Sequence, residues 1–181
     1  MNFDKAIKLL VSIIICELAG VIGSFYTASE IQGWYAGLKK PFFNPPNWIF
    51  GPVWSILFLL MGIALYLVWE KNFVIKNFVG SAFDESWNKV SGKFWSGSWQ
   101  KLNIILIFSA QLVLNILWSL IFFGSHNPAA AFFELLMLWV AIVYTIVNFY
   151  RVSKVASYLL IPYILWVTFA GILNLSIWIL N

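Results

Sequence analysis

The chain has 181 residues, of which 62% are hydrophobic and 10% charged, with a net charge of +4. A soluble domain carries roughly a quarter charged residues, so a water-facing surface is excluded and lipid is the solvent. The small basic excess points to anionic headgroups rather than nucleic acid. One Cys and one His exclude an internal disulfide and leave too few ligands for a metal or haem cluster.

From the N-terminus, the first apolar run covers about residues 6–28. It is too long for a signal-peptide core and no cleavage pattern follows, so it reads as a retained helix. It carries Glu17 in apolar surroundings. Ala19, Gly20, Gly23 and Ser24 follow at small-xxx-small spacing, which allows close helix approach within a bundle or across a dimer, the bundle being the safer reading. Residues 33–48 read GWYAGLKKPFFNPPNW. Trp34, Tyr35, Phe42, Phe43 and Trp48 offer flat surfaces, and Pro41, Pro45 and Pro46 stiffen the backbone between them. The expectation is a preformed lid over something flat and apolar.

The second predicted helix, 47–69, has no charge between Ile49 and Trp69. The 70–101 connection is long and sets spaced aromatics among Lys, Ser and Gly. An interfacial amphipathic helix is favoured there over an irregular loop with aromatic anchors. The third helix, 102–123, turns through Gly124–Pro128 into the fourth, 128–150. Pro128 suits the first helical position, and Glu134 places a second carboxyl within a span. The fifth, 155–180, contains Pro162, expected as a tolerated kink. Each segment reaches the roughly 20 residues a bilayer core needs, and short connections make neighbours antiparallel. The expected fold is an all-α integral membrane protein, a single domain over 1–181. It is a five-transmembrane-helix bundle with a Pro/aromatic-rich loop between its first two helices.

Orientation follows from the basic residues. Lys5, Lys8, Lys71, Lys76, Lys89, Lys93, Lys101, Arg151 and Lys154 share one face, against Lys39 and Lys40 on the other. In an inner or plasma membrane, the positive-inside rule puts the N-terminus in the cytoplasm and the aromatic loop outside.

Several motifs now stand in order: WYAGLKKP at 34–41, NPPNW at 44–48, GPVW at 51–54, GIALYLVW at 62–69, QLVLNILWS at 111–119, FFG at 122–124, PYILWVTFA at 162–170 and LNLSIW at 173–178. Together they cover most of the chain, and it resembles the translocator protein / tryptophan-rich sensory protein (TspO/MBR) family. The resemblance implies five transmembrane helices, a ligand cavity under the first loop, and often a homodimer. It implies binding of porphyrins and, in some members, of isoquinoline-carboxamide drugs or sterols, with transport, sensing and photo-oxidative porphyrin breakdown all proposed as activities. The chain departs from the family at Phe43, where many members have Trp, and in its longer second connection. No L/V-x-Y-x-K/R pattern follows the fifth helix, so sterol binding is not supported.

The residues themselves point to a site. Trp54 and Phe58 share a helix face, as do Gln111, Asn115 and Trp118, and Trp166, Ala170 and Asn174. Three such stripes converging under the loop would make a flat-walled pocket with a few polar anchors, which suits a porphyrin macrocycle. The expected ligand-binding set is Tyr35, Pro45, Pro46, Trp54, Phe58, Gln111, Asn115, Trp118, Trp166 and Ala170, with Lys39 and Lys40 as possible propionate partners. The resemblance favours Tyr35, Trp54, Asn115, Trp166 and Ala170 most. Against this stand structural readings. Gln111, Asn115 and Asn174 also suit interhelical hydrogen-bond glue, with Asn174 taken as structural. Trp48, Trp69, Trp139 and Trp178 suit interfacial anchors. Lys39 and Lys40 suit plain solvation. Glu17 and Glu134 are read as structural ahead of coupling, with Glu134 close enough to the interface to be hydrated. His126 has no ligand cluster around it.

The leading function is a membrane receptor for porphyrins and related flat apolar ligands, with no metal and no required cofactor. The bilayer and a second copy of the chain are the expected partners. Two alternatives stay open. One is light- and oxygen-driven porphyrin oxidation using Tyr35, Trp54 and Trp166. The other is transport, weakened by the lack of paired broken helices.

Overall fold

The computed structural model describes residues 3–71 and 97–181, with side chains from 97–101 excepted. Five apolar helices long enough to cross a bilayer stand among the described residues. In chain order the elements are α1 (Phe3–Glu30), α2 (Trp34–Gly37), α3 (Asn47–Glu70), α4 (Gly97–Ser119) continued by a π-helical turn (Leu120–Gly124), α5 (Pro128–Val152), α6 (Lys154–Tyr158) and α7 (Ile161–Leu180). The expected five-helix body is therefore present. The connection's expected interfacial helix lies largely outside the described residues.

Two boundaries differ from the sequence reading for local reasons. The fifth span is broken into α6 and α7, so Pro162 sits in the first turn of α7 rather than at a mid-helix kink. There its missing N–H costs nothing. Ser153 caps α6 by accepting from the Ala156 N–H. The lid, expected as a loop, contains the one-turn helix α2. At α5, Asn127 accepts from the Ala130 N–H at 3.0 Å, and Pro128 follows in the first turn.

The helices close a ring. α1 packs on α3 and α4, α4 on α5, and α5 on α7 and α6; α3 meets α6, at the start of the fifth span. Small residues set the close crossings. A Cβ on Gly62 would lie 2.6 Å from the Ile13 Cα, and one on Gly20 would lie 2.7 Å from the Phe58 ring. Gly23 similarly faces Ser119. The small-residue spacing on α1 thus serves packing within the bundle. Lys5 and Lys8 reach Glu70 at 3.4 and 2.9 Å, which ties the start of α1 to the end of α3. At this end the core is closed by fully buried Met61, Ala64, Ile142, Phe149 and Leu160.

Candidate ligand site

The other end of the bundle is open inside and covered by the lid. Tyr35 is buried, and its ring meets Phe122 and Phe123 with centroids 6.2 and 5.6 Å apart. Its hydroxyl donates to Asn44 Oδ1 at 3.0 Å, so the two ends of the loop hold each other. Burial pushes the Tyr35 phenol above its ordinary pKa, and the bond to Asn44 works against that shift. Lys40 Nζ lies 4.6 Å from the centre of the Tyr35 ring and donates to the Leu38 carbonyl. Asn181 clasps Lys39 twice, accepting from its N–H at 2.9 Å and donating to its carbonyl at 3.0 Å.

Under this lid lies a cavity of about 340 Å³, within the size range of small-molecule sites. Its upper wall holds Tyr35, Phe50, Phe122 and Ile177, its middle holds Trp54, Trp118, Ser119 and Ala170, and its deepest residues are Glu17, Phe58, Asn115 and Trp166. Trp54 and Phe58 are stacked with centroids 5.7 Å apart, as are Trp118 and Phe122 at 5.2 Å. The walls are flat and apolar because α3 and α4 each present an aromatic stripe at helical spacing, while α7 presents Trp166 followed by Ala170, Leu173 and Ile177.

Several polar groups in the walls are already committed. Asn115 Nδ2 donates to the Gln111 carbonyl at 2.8 Å and to the Tyr163 hydroxyl. Trp118 Nε1 donates to Asn174 Oδ1 at 3.1 Å, and Asn174 Nδ2 to the Pro128 carbonyl at 2.6 Å. The expected interhelical glue is therefore real for Asn115 and Asn174, and both side chains also line the cavity.

The structure brings together Tyr35, Trp54, Phe58, Asn115, Trp118, Trp166 and Ala170, all of which line this one cavity. It does not bring Pro45, Pro46, Lys39, Lys40 or Gln111 to it. The prolines shape the loop from outside, the Lys40 ammonium donates to backbone carbonyls, and the Lys39 main chain is held by the Asn181 side chain. Gln111 lies one turn below Asn115, wholly buried, with no hydrogen-bond partner for its side-chain amide among the described residues.

Other expectations are corrected. Glu134 is not hydrated: it is 3% exposed, on the same inward stripe of α5 as Ala131 and Leu138, with no partner for either oxygen among the described residues. Trp139 is no interfacial anchor but stands mid-helix in α5, its Nε1 donating to Thr168 Oγ1 at 2.9 Å. Apart from these corrections, His126 has a packing role: its Nε2 lies 3.0 Å from Glu30 Oε2, and its ring stacks on Trp34 with centroids 4.5 Å apart. The sequence reading also left out Phe50, Phe122 and Ile177 as wall residues, and weighed Glu17 without the cavity. Phe122 follows Asn115 and Trp118 at helical spacing, a signal that was available. The place of Glu17 depends on how α1 rotates in the bundle; it lies one turn before Gly20, whose close contact with Phe58 sets that rotation.

Comparison with known proteins agrees with this architecture. The model of the TspO/MBR family matches residues 12–179. The chain is 42% identical to the tryptophan-rich protein TspO of Archaeoglobus fulgidus, over 97% of both chains. It is 35% identical to the human translocator protein, over 90% of this chain and 83% of that one. It is 29% identical to the tryptophan-rich sensory protein of Cereibacter sphaeroides, over 100% of this chain and 95% of that one. With five membrane-length helices around a lidded cavity and a match over nearly its whole length, the chain belongs to the TspO/MBR family.

Proposed function

We propose that this membrane protein is a receptor for flat aromatic ligands, porphyrins first, held between the lid and the five helices. The observation that carries this is the shape and lining of one cavity, in which Trp54, Phe58, Trp118 and Trp166 present flat apolar faces beneath Tyr35. A macrocycle gains stacking area on such walls, and its propionates stay at the lid rim, on the side of Lys39 and Lys40. The relatives' names, translocator and sensory protein, are in keeping with a binding role. The test is a protoporphyrin titration of purified protein followed by tryptophan quenching, with Trp54→Ala and Asn115→Ala alongside. Saturable binding weakened about tenfold or more by both changes in folded protein supports the reading. Unsaturable binding indifferent to both overturns it.

A second reading, photo-oxidative breakdown of the bound porphyrin, draws on Tyr35, Trp54 and Trp166 lining the same cavity. The chromophore and oxygen would supply the chemistry. Illumination with and without oxygen separates the two readings, since a receptor leaves the porphyrin spectrum changed no more than a Trp166→Phe variant does.

A further inference from the structure

The charge that the cavity can carry is one-sided. The floor carries the Glu17 carboxyl, and among the described residues no Lys, Arg or His lines the cavity anywhere. Asn115 spends its amide N–H groups on the Gln111 carbonyl and the Tyr163 hydroxyl. It can therefore offer only its carbonyl oxygen to the cavity. Trp118 Nε1 is spent on Asn174, and Asn174 Nδ2 on the Pro128 carbonyl. Trp166 Nε1 is shut away from the cavity surface. On the wall above, the Ser24 hydroxyl donates to the Val21 carbonyl at 2.7 Å. Higher on the walls, Trp54 Nε1 and the Ser55 and Ser119 hydroxyls are not spent in this way among the described residues. At the floor itself, what remains is the Asn115 carbonyl oxygen and the Glu17 carboxyl.

Glu17 is placed there by register. It lies on one stripe of α1 with Gly20, Ser24 and Thr27, all of which line the cavity, and α1 ends at the lid. Glu17 is about 15 Å along the axis from Thr27 at the helical rise, far from the water at the lid. It makes no hydrogen bond or ion pair with another described residue, while Glu30 and Glu70 both have partners. A carboxyl inside a span without a protein partner is a functional-site hypothesis; Glu134 is a second such carboxyl, but it is packed in the core, and only Glu17 lines the cavity.

We propose that Glu17 is the deep anchor of the cavity and selects flat aromatic ligands that bring a nitrogen donor, an N–H or a cationic nitrogen, to the floor. This rests on the reading of the cavity as a site for flat aromatic ligands. It adds a polarity to that reading: donor end down, acidic groups up at the lid. A ligand with an anionic group at its buried end meets the Glu17 carboxyl and the Asn115 carbonyl oxygen at the floor and is disfavoured there.

The test uses the full chain in phosphatidylcholine nanodiscs and tryptophan quenching by four planar probes. Carbazole and fluorene share a shape and differ in the N–H; 9-aminoacridine and anthracene-9-carboxylate are a cation and an anion of similar size. Wild type is expected to prefer carbazole over fluorene and 9-aminoacridine over the carboxylate, each by about tenfold. Glu17→Gln, which keeps an acceptor, should lose the charge preference alone. Glu17→Leu should lose both. A preference for 9-aminoacridine without one for carbazole assigns the anchor to cations; both together assign it to N–H donors at large. Equal affinities within each pair in wild type overturn the proposal without recourse to any variant, as do preferences that survive Glu17→Leu. Protoporphyrin is titrated in the same samples. If it fails to bind while the Glu17-dependent preferences persist, the porphyrin reading falls and the anchor stands. If it binds and the preferences are absent, the reverse holds. No saturable binding by any probe overturns both.

Discussion

At the residue scale, one amide shows how a membrane bundle separates support from recognition. Asn115 is held by the Tyr163 hydroxyl across the bundle, so Tyr163→Phe should cost about 1 kcal/mol of stability. Chemical unfolding in mixed micelles measures this. The same substitution leaves an Asn115 N–H without its partner at the floor, so ligands with an acceptor at their buried end should gain affinity relative to wild type. Gly62 supplies a second prediction. Its missing Cβ would meet Ile13 backbone at 2.6 Å, which cannot yield without moving α1. Gly62→Ala should therefore destabilise the protein by about 1–3 kcal/mol, read as a lower midpoint in the same unfolding experiment. Gly51→Ala has open space around the new methyl and should show no such loss. The sequence put both Gln111 and Asn115 in the binding set, with Asn115 favoured by resemblance, and only Asn115 meets the cavity. That difference depends on where the packed layer begins, and it begins between them. That boundary is set by side chains on other helices, Phe58 and Trp166 among them, and no single helix carries it.

At the scale of elements, the lid is tied down at separate places. Trp34 sits edge-on to Phe122 at 5.5 Å and flat on His126, which in turn reaches Glu30 at the end of α1. His126 holds a left-handed backbone with φ of 51°, a conformation costly for a side chain and kept here by these contacts. An exposed pair of this kind contributes at most about 1 kcal/mol to stability, so its effect should appear in kinetics. His126→Ala should speed dissociation of a bound ligand several-fold, by about the factor that 1 kcal/mol implies, while the unfolding midpoint stays close to wild type. Stopped-flow displacement measures it, and an unchanged off-rate would show that the lid is held by Tyr35 and Asn181 without this corner. The helices themselves were legible because a bilayer-length apolar run needs no partner to identify it. The lid's stiffness was legible from its prolines and aromatics. Its docking was not, because Trp34 finds Phe122 and His126 only after α1 and α4 have packed side by side.

For the whole molecule, the ion pairs of Lys5 and Lys8 with Glu70 mark one end of the bundle, and the lid marks the other. For an inner or plasma membrane, the positive-inside rule predicts that the first end faces the cytoplasm, and labelling tests it. A membrane-impermeant maleimide applied to intact cells should label Phe42→Cys, whose position is fully exposed, and leave Lys5→Cys unlabelled until the cells are opened. The native Cys16 is buried and should stay silent. Labelling in the opposite order would invert the topology. The cavity reaches down only as far as Glu17, Phe58, Asn115 and Trp166, and beneath it, among the described residues, Met61, Ile142, Phe149 and Leu160 form a fully buried layer. A molecule held there stands in a cup and not in a pipe. Whatever enters past the lid must leave on the same side or sideways into lipid, unless a whole layer of packed side chains gives way beneath it.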